Sequence, residues 1–349
     1  MLIFIILLFI VSLYKCKPIS NGIFYEDYCS ISQTKSINGI FIILILLSHT
    51  FARVSTSCGV LDDIYFPFRT FLGQFVVVPF LFYSGYGIME SIRKKESYIK
   101  SFPKQRFLKL FIQFAIITVI YIIFNLLIGR DYSITQIILS FIGLTSIGNG
   151  GWYMFSIFVF YVAVTIWFNV FKKNKIMAAS MVAVCLVVLT VVEMFLDFPT
   201  YYYNTTIFLA VGMFFSLLKD TFNKIVMKNN VIWILVLMIS LAGFISCKGL
   251  ISKTVVFYPI WCGLGLLMLL CITMKIKIEN KVLSWCGQNV FYIFTLQGIP
   301  QILFTKFLSN NYLIYFLVII STILISALAG CLFNKVDNYI LRKREKDYV

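Results

Sequence analysis

Apolar runs of about twenty residues follow one another from Ile37 to Phe333, interrupted only by short basic, polar or glycine-bearing segments. Coiled as a helix, a run of that length matches the ~30 Å hydrocarbon core of a bilayer. In lipid only helices and closed barrels satisfy every backbone N–H and C=O, and continuous apolarity without alternation selects helices. The expectation is an all-α membrane fold, a polytopic bundle of about ten transmembrane helices. The spans are Ile37 to Val54, Phe71 to Ile92, Phe107 to Ile128, Trp152 to Phe171, Ile176 to Leu196, Tyr203 to Leu218, Val231 to Ile245, Val255 to Met274, Val290 to Phe307 and Tyr312 to Phe333. A short N-terminal hydrophobic segment, Leu2 to Tyr14, has neither a basic stretch before it nor a small-residue cleavage site after it, so it reads as an extra short span. Ile134 to Ile147 is apolar but too short to cross, and is expected to be re-entrant or interfacial. The chain thus divides into a hydrophobic segment and cytoplasmic linker over 1–30, a transmembrane domain over 31–340, and a basic cytoplasmic tail over 341–349.

Charge then orients the bundle. A formal net charge of +16 would suggest nucleic acid in a soluble protein, but 60% of this chain is hydrophobic and only 13% charged, and the basic residues sit in clusters between spans. That is how orienting charges are placed, and it excludes a nucleic-acid partner. With the tail from Arg342 to Lys346 in the cytoplasm, only Arg53, Arg69, Arg130, Lys248, Lys253 and Lys306 of the 30 lysines and arginines fall outside. The nine cysteines (Cys16, Cys29, Cys58, Cys185, Cys247, Cys262, Cys271, Cys286 and Cys331) are scattered without metal-type spacing, and no metal is expected.

Two features go beyond a plain bundle. The first is His49, the only histidine in 349 residues, in a span entered from the basic side. An ionisable group there is a functional hypothesis by default, although a neutral imidazole can also serve as interhelical glue. Asn38 lies eleven residues earlier, close to three turns and roughly 16 Å below on the same face, and Arg53 continues the stripe one turn above. The second is the cluster Arg93, Lys94, Lys95, Lys100, Lys104, Arg106 and Lys109, more basic than orientation requires. It suits a polyanion: the phosphates of a nucleotide-type cofactor, or the headgroups of membrane lipids. No glycine-rich phosphate loop accompanies it.

The order and spacing of Asn38 to His49, Pro79 to Tyr86, Phe102 to Lys109, Gly151 to Met154 and Gly287 to Gly298 resemble the acyltransferase 3 family of integral-membrane O-acyltransferases, over roughly residues 30 to 340. That resemblance implies transfer of an acyl group, usually acetyl from acetyl-CoA in the cytoplasm, to a hydroxyl of a cell-surface or envelope polysaccharide, by a multi-pass protein of the cell membrane. It carries the role of the family's histidine to His49 and of its Arg-x-x-Arg pair to Arg106 and Lys109. Two positions depart from it. Asn38 stands where the family has a basic residue, so that phosphate contact comes from Lys35, from Arg93, Lys94, Lys104 and the rest of the 93–109 loop, or is absent. Gln297 stands where many members have a second histidine.

The residue inventory suits this chemistry. Moving an acyl group from a thioester to a sugar hydroxyl needs a base, for which histidine, with an unperturbed pKa of about 6.5, is the usual choice. His49 could act as that base or carry the acyl group covalently. Donors to the developing oxyanion are sought among Tyr86, Trp152, Tyr153 and Asn149, and contacts to a glycan acceptor among Arg53, Asp62, Asp63, Arg69 and the turn from Tyr201 to Asn204. The competing class is a polysaccharide flippase, polymerase or other transporter of envelope glycans. Against it stand the lack of an internal repeat and of a long outer loop, the longest being 129–151.

Overall fold

A computed structural model describes residues 2–54, 60–95, 97–308 and 312–345, so Cys58 and the end of the basic tail from Lys346 lie outside the described residues. Sixteen α-helices follow in chain order: α1 (Leu2–Leu13), α2 (Ile31–Arg53), α3 (Val60–Leu72), α4 (Val78–Lys94), α5 (Tyr98–Phe102), α6 (Lys109–Leu127), α7 (Ile134–Ser140), α8 (Gly151–Val170), α9 (Lys175–Phe195), α10 (Phe208–Val226), α11 (Asn230–Ser246), α12 (Phe257–Thr273), α13 (Lys281–Gln288), α14 (Val290–Leu296), α15 (Gly298–Phe307) and α16 (Tyr312–Glu345). Short polar side chains start several of them by taking up N–H groups that a first turn leaves unpaired. Ser30 accepts from the Gln33 amide, Asn174 from Met177, Asn229 from Ile232, and Asn280 from both Val282 and Leu283.

Among the described residues, seven helical stretches are long and apolar enough to cross a membrane: 31–53, 62–94, 98–127, 151–170, 175–195, 230–250 and 312–333. Helices also occupy the other three expected spans, but in forms that fail one test or the other. The α10 helix carries Lys219, Asp220 and Lys224, α12 has 17 residues, and the segment 290–307 is split at Gln297 into α14 and α15. Length and composition therefore support seven crossings, and ten remains an expectation. The span expected to begin at Phe71 starts earlier, at the far end of α3, and passes through a 3-10 turn over Gly73–Val77 before α4. Pro79 sits in the first turn of α4, where its missing N–H costs nothing, so the turn and the proline restart the helix.

Glycines bring the central helices together. A Cβ added to Gly85 of α4 would lie 1.9 Å from the Leu209 carbonyl oxygen of α10, and one added to Gly212 would lie 2.0 Å from that of Phe82. In α2 and α13, Gly39 and Gly287 press as closely on the backbones of Leu283 and Lys35. Small residues at such crossings replace the hydrophobic drive that lipid removes.

The two ends of the bundle are distinguished by their contacts. At one end, Tyr28 donates to Asn223 at 2.7 Å, Arg93 donates to the Ser216 carbonyl, and Lys275 donates to Asn230 at 2.9 Å. The strand β1 (Cys16–Pro18) pairs there antiparallel with β2 (Ile276–Ile278), Cys16 opposite Ile278. Lys17 and Lys277 both pair with Glu279, holding its carboxyl down to about 2. The basic segments 15–36, 90–95, 219–228 and 275–281 thus share one end. At the other end Arg53 meets Gln301, Gln74 donates to the Tyr201 carbonyl, and Lys248 donates to that of Thr70.

Residues 141–150 dip back into the bundle from this second end. Ile147 and Asn149 are buried, Asn149 donates to Thr118 at 3.0 Å, and Asn125 donates to the Ile147 carbonyl at 2.9 Å. Gly148 and Gly150 have φ of +115° and +71°, and side chains there would strike Tyr121 and Phe294. Non-helical backbone at such depth is tolerated where protein pairs its polar groups or where it lines a cavity. Both conditions hold for 141–150, whereas α7 over 134–140 is largely exposed.

Candidate functional site

The re-entrant segment closes one wall of a cavity of about 740 Å³. The α2 helix supplies Ser48, His49, Ala52 and Arg53. The end of α3 and the turn after it supply Arg69, Thr70, Gly73 and Gln74, α8 supplies Trp152, and the 200s turn supplies Tyr201. Phe294 of α14, Gln297 at the break, and Gly298 and Gln301 of α15 complete it. Its volume falls within the ~300–1,000 Å³ usual for small-molecule sites.

His49 is enclosed by the bundle, yet its ring surface is accessible, because the cavity runs against it. The imidazole shares the cavity lining with Gln297 and lies 6.2 Å from the Phe294 ring. Gln301 donates to the Gln297 oxygen at 3.4 Å and to Thr50 at 3.2 Å, and accepts from Arg53 Nε at 3.1 Å. A polar line thus runs from Gln297 through Gln301 to the Arg53 guanidinium, along the same cavity that His49 lines. The break between α14 and α15 falls at Gln297, whose side-chain amide donates to the Phe294 carbonyl at 3.0 Å. Arg69 Nε donates to the Ser48 hydroxyl at 2.9 Å and to the Ser48 carbonyl at 3.2 Å. Both arginines act electrostatically on His49.

The other expected site residues divide into two groups. Trp152 lines the cavity and packs edge-on against Tyr201 at 5.8 Å. Tyr153 stands just behind, 5.3 Å from Phe294 and 5.9 Å from Trp152. Further along α8, Tyr161 packs on Phe102 at 5.1 Å, and Arg106 acts on Tyr161 electrostatically while donating to Tyr98 at 3.1 Å. From Trp152 to Tyr161 is nine helical residues, roughly 13 Å, so α8 carries contact from His49's cavity toward the basic segment. Arg106, Lys104 and Lys109 are exposed there. A π-helical turn over Pro103–Leu108 holds Arg106 and Lys104.

Other residues lie away from this line. Arg93 is committed to Glu90 at 2.9 Å and to the Ser216 carbonyl, and Lys94 stands 3.8 Å from Glu90. Lys35 donates to Gln288 at 3.4 Å. Asn38 lies below His49 on α2 with its side-chain oxygen buried and unpaired, outside the cavity lining. Tyr86 is buried against Phe82 and Phe215 of the α4–α10 contact and does not reach the cavity. Asp62 is buried and accepts from Tyr315 at 3.2 Å, so it faces α16 rather than the cavity. Asn149 is spent in holding the re-entrant segment.

Sequence reasoning passed over Gln74, Ser48 and Gln301. Only Gln301 left a signal, standing four residues after Gln297 on one helical face. No cluster of three or more histidine, cysteine, aspartate or glutamate side chains that could hold a metal occurs among the described residues.

A family model described as an acyltransferase domain, acyltransferase 3, matches residues 36–331. No curated protein and no solved structure matches the chain.

Proposed function

The chain belongs to the acyltransferase 3 family and is a multi-pass membrane acyltransferase, and from that premise we propose that it moves an acyl group, acetyl being the simplest, from acyl-CoA to a hydroxyl of an envelope or cell-surface glycan. The observation that carries the proposal is the placement of the chain's one histidine on a cavity that is large enough for a sugar and carries two arginines and three glutamines in its lining. Charge asymmetry argues that the cavity faces outward and that the C-terminus and the basic 93–109 segment face the cytoplasm.

On this reading the donor's phosphates rest on Arg106, Lys104 and Lys109, planar guanidinium and ammonium groups being suited to phosphate oxygens. The thioester reaches toward His49 along α8. His49 takes the proton of the acceptor hydroxyl as that oxygen attacks the acyl carbon. The C–O bond forms, the C–S bond breaks, and the proton passes from the imidazolium to the departing thiolate. Gln297, from the same lining, steadies the ring. Removing a positioned base costs about 10² to 10⁴ in rate.

Mass spectrometry of the surface glycan tests the proposal. Cells expressing the protein carry a labile ester that cells lacking it do not. Identical glycans from both would overturn the acceptor assignment.

A further inference from the structure

The cavity at His49 carries positive charge with no acidic side chain in its lining to answer it. Its lining contains Arg53 and Arg69 but no aspartate, no glutamate and no lysine. The hydrogen bonds of each guanidinium use its Nε, Arg53 on Gln301 and Arg69 on Ser48, the Arg69 guanidinium also lies 5.8 Å over the Phe51 ring, and neither forms an ion pair among the described residues. Their terminal N–H groups, the fork that meets carboxylate or phosphate two bonds at a time, are left for whatever enters the cavity. Arg130 adds to the same field from beside Arg53.

Orientation makes the arrangement more telling. On the end of the bundle where arginine and lysine are scarce, two of the six such residues line one cavity. The Nε contacts fix both guanidiniums in place beforehand, which lowers the entropic cost of binding. The phosphates of a nucleotide donor have a separate basic surface at the opposite end, on Lys104, Arg106 and Lys109.

We propose that Arg53 and Arg69 form an anion subsite beside His49, and that the acceptor is an acidic glycan bearing a carboxylate or phosphate near the hydroxyl that is acylated. This rests on the acyltransferase reading for the hydroxyl's fate. The subsite itself is read from charge and geometry.

The full chain in nanodiscs is titrated with glucuronate, glucose, glucose 6-phosphate and inorganic phosphate, with binding followed through Trp152 at the cavity wall. The two sugar acids separate carboxylate from phosphate as the anion. Glucuronate or glucose 6-phosphate binds at least tenfold more tightly than glucose, and the advantage falls to near unity in Arg53→Gln/Arg69→Gln, as expected for charge-assisted hydrogen bonds. Arg53→Lys/Arg69→Lys, which keeps the charge without the fork, retains part of it and shows that the bundle tolerates change there.

Turnover gives a second reading, the ratio of kcat/KM for glucuronate over glucose with acetyl-CoA as donor. Equal binding of charged and neutral sugars overturns the subsite, as does a preference that survives in the double glutamine variant. A loss of turnover that is equal for both sugars assigns the arginines to the reacting acyl group instead, and also overturns it. Selective anion binding without transfer from acetyl-CoA would keep the subsite and remove the acyl-transfer reading, so the two failures are distinguishable.

Discussion

His49→Gln keeps hydrogen-bonding capacity and approximate size, so it separates a histidine that glues helices from one that moves a proton. The substituted protein is expected to reach the membrane in normal amount and to lose about 10² to 10⁴ in acyl transfer. Near-normal esterification of the glycan would return His49 to interhelical packing. Arg106 and Arg93 offer a second contrast, since similar residues in one basic loop have different surroundings. Arg106 is exposed with a single contact to Tyr98, whereas Arg93 is fastened to Glu90 and Ser216. Arg106→Gln should raise the apparent KM for acyl-CoA about 10- to 100-fold, the worth of a charge-assisted contact. Arg93→Gln should act on the stability of the α4–α10 junction and leave KM within about twofold. Steady-state kinetics in detergent, with acyl-CoA varied, distinguishes the two.

The α4 helix carries two glycines two residues apart with opposite surroundings. Gly85 lies against the backbone of α10, while a Cβ at Gly87 would meet nothing within 4 Å. Gly85→Ala must push two helices apart and is expected to cost about 1–3 kcal/mol or more. Gly87→Ala replaces a poor helix former at an open position and should be neutral or stabilising by up to ~1 kcal/mol. Thermal unfolding of the two purified variants in the same detergent reads the difference, and similar melting temperatures would contradict the packing described for α4 and α10. The same contacts explain why short sequence blocks around Ser84 and Gly287 look like motifs. Part of what they specify is backbone approach rather than chemistry, since Gly39 and Gly287 hold α13 on α2 while Phe294 and Gln297 beyond it reach His49.

For the molecule as a whole, charge asymmetry makes a topological prediction. A reporter active only in the cytoplasm should work when fused after Val349 and fail at Tyr202, and the reverse pattern would invert the bundle and with it the side from which the cavity is reached. Much of the architecture was legible in the sequence because the bilayer imposes a length and an apolarity on every span. The positions of the helices, the shortness of the apolar segment 134–147, the polar stripe of His49 and Arg53, and the isolated basic cluster all follow from that constraint and from helical periodicity. Other features were decided only by tertiary structure. Arg69, Gln74, Tyr201, Gln297 and Gln301 come together around His49 from segments far apart in the chain, while Tyr86, Asn38 and Asp62, equally plausible by residue type, face elsewhere. The physical reason is that a helix apolar on every side has no sequence stripe to fix its rotation. In lipid its neighbours and its facing are chosen by close approach at glycines and by a few buried hydrogen bonds, and these depend on which helices actually meet.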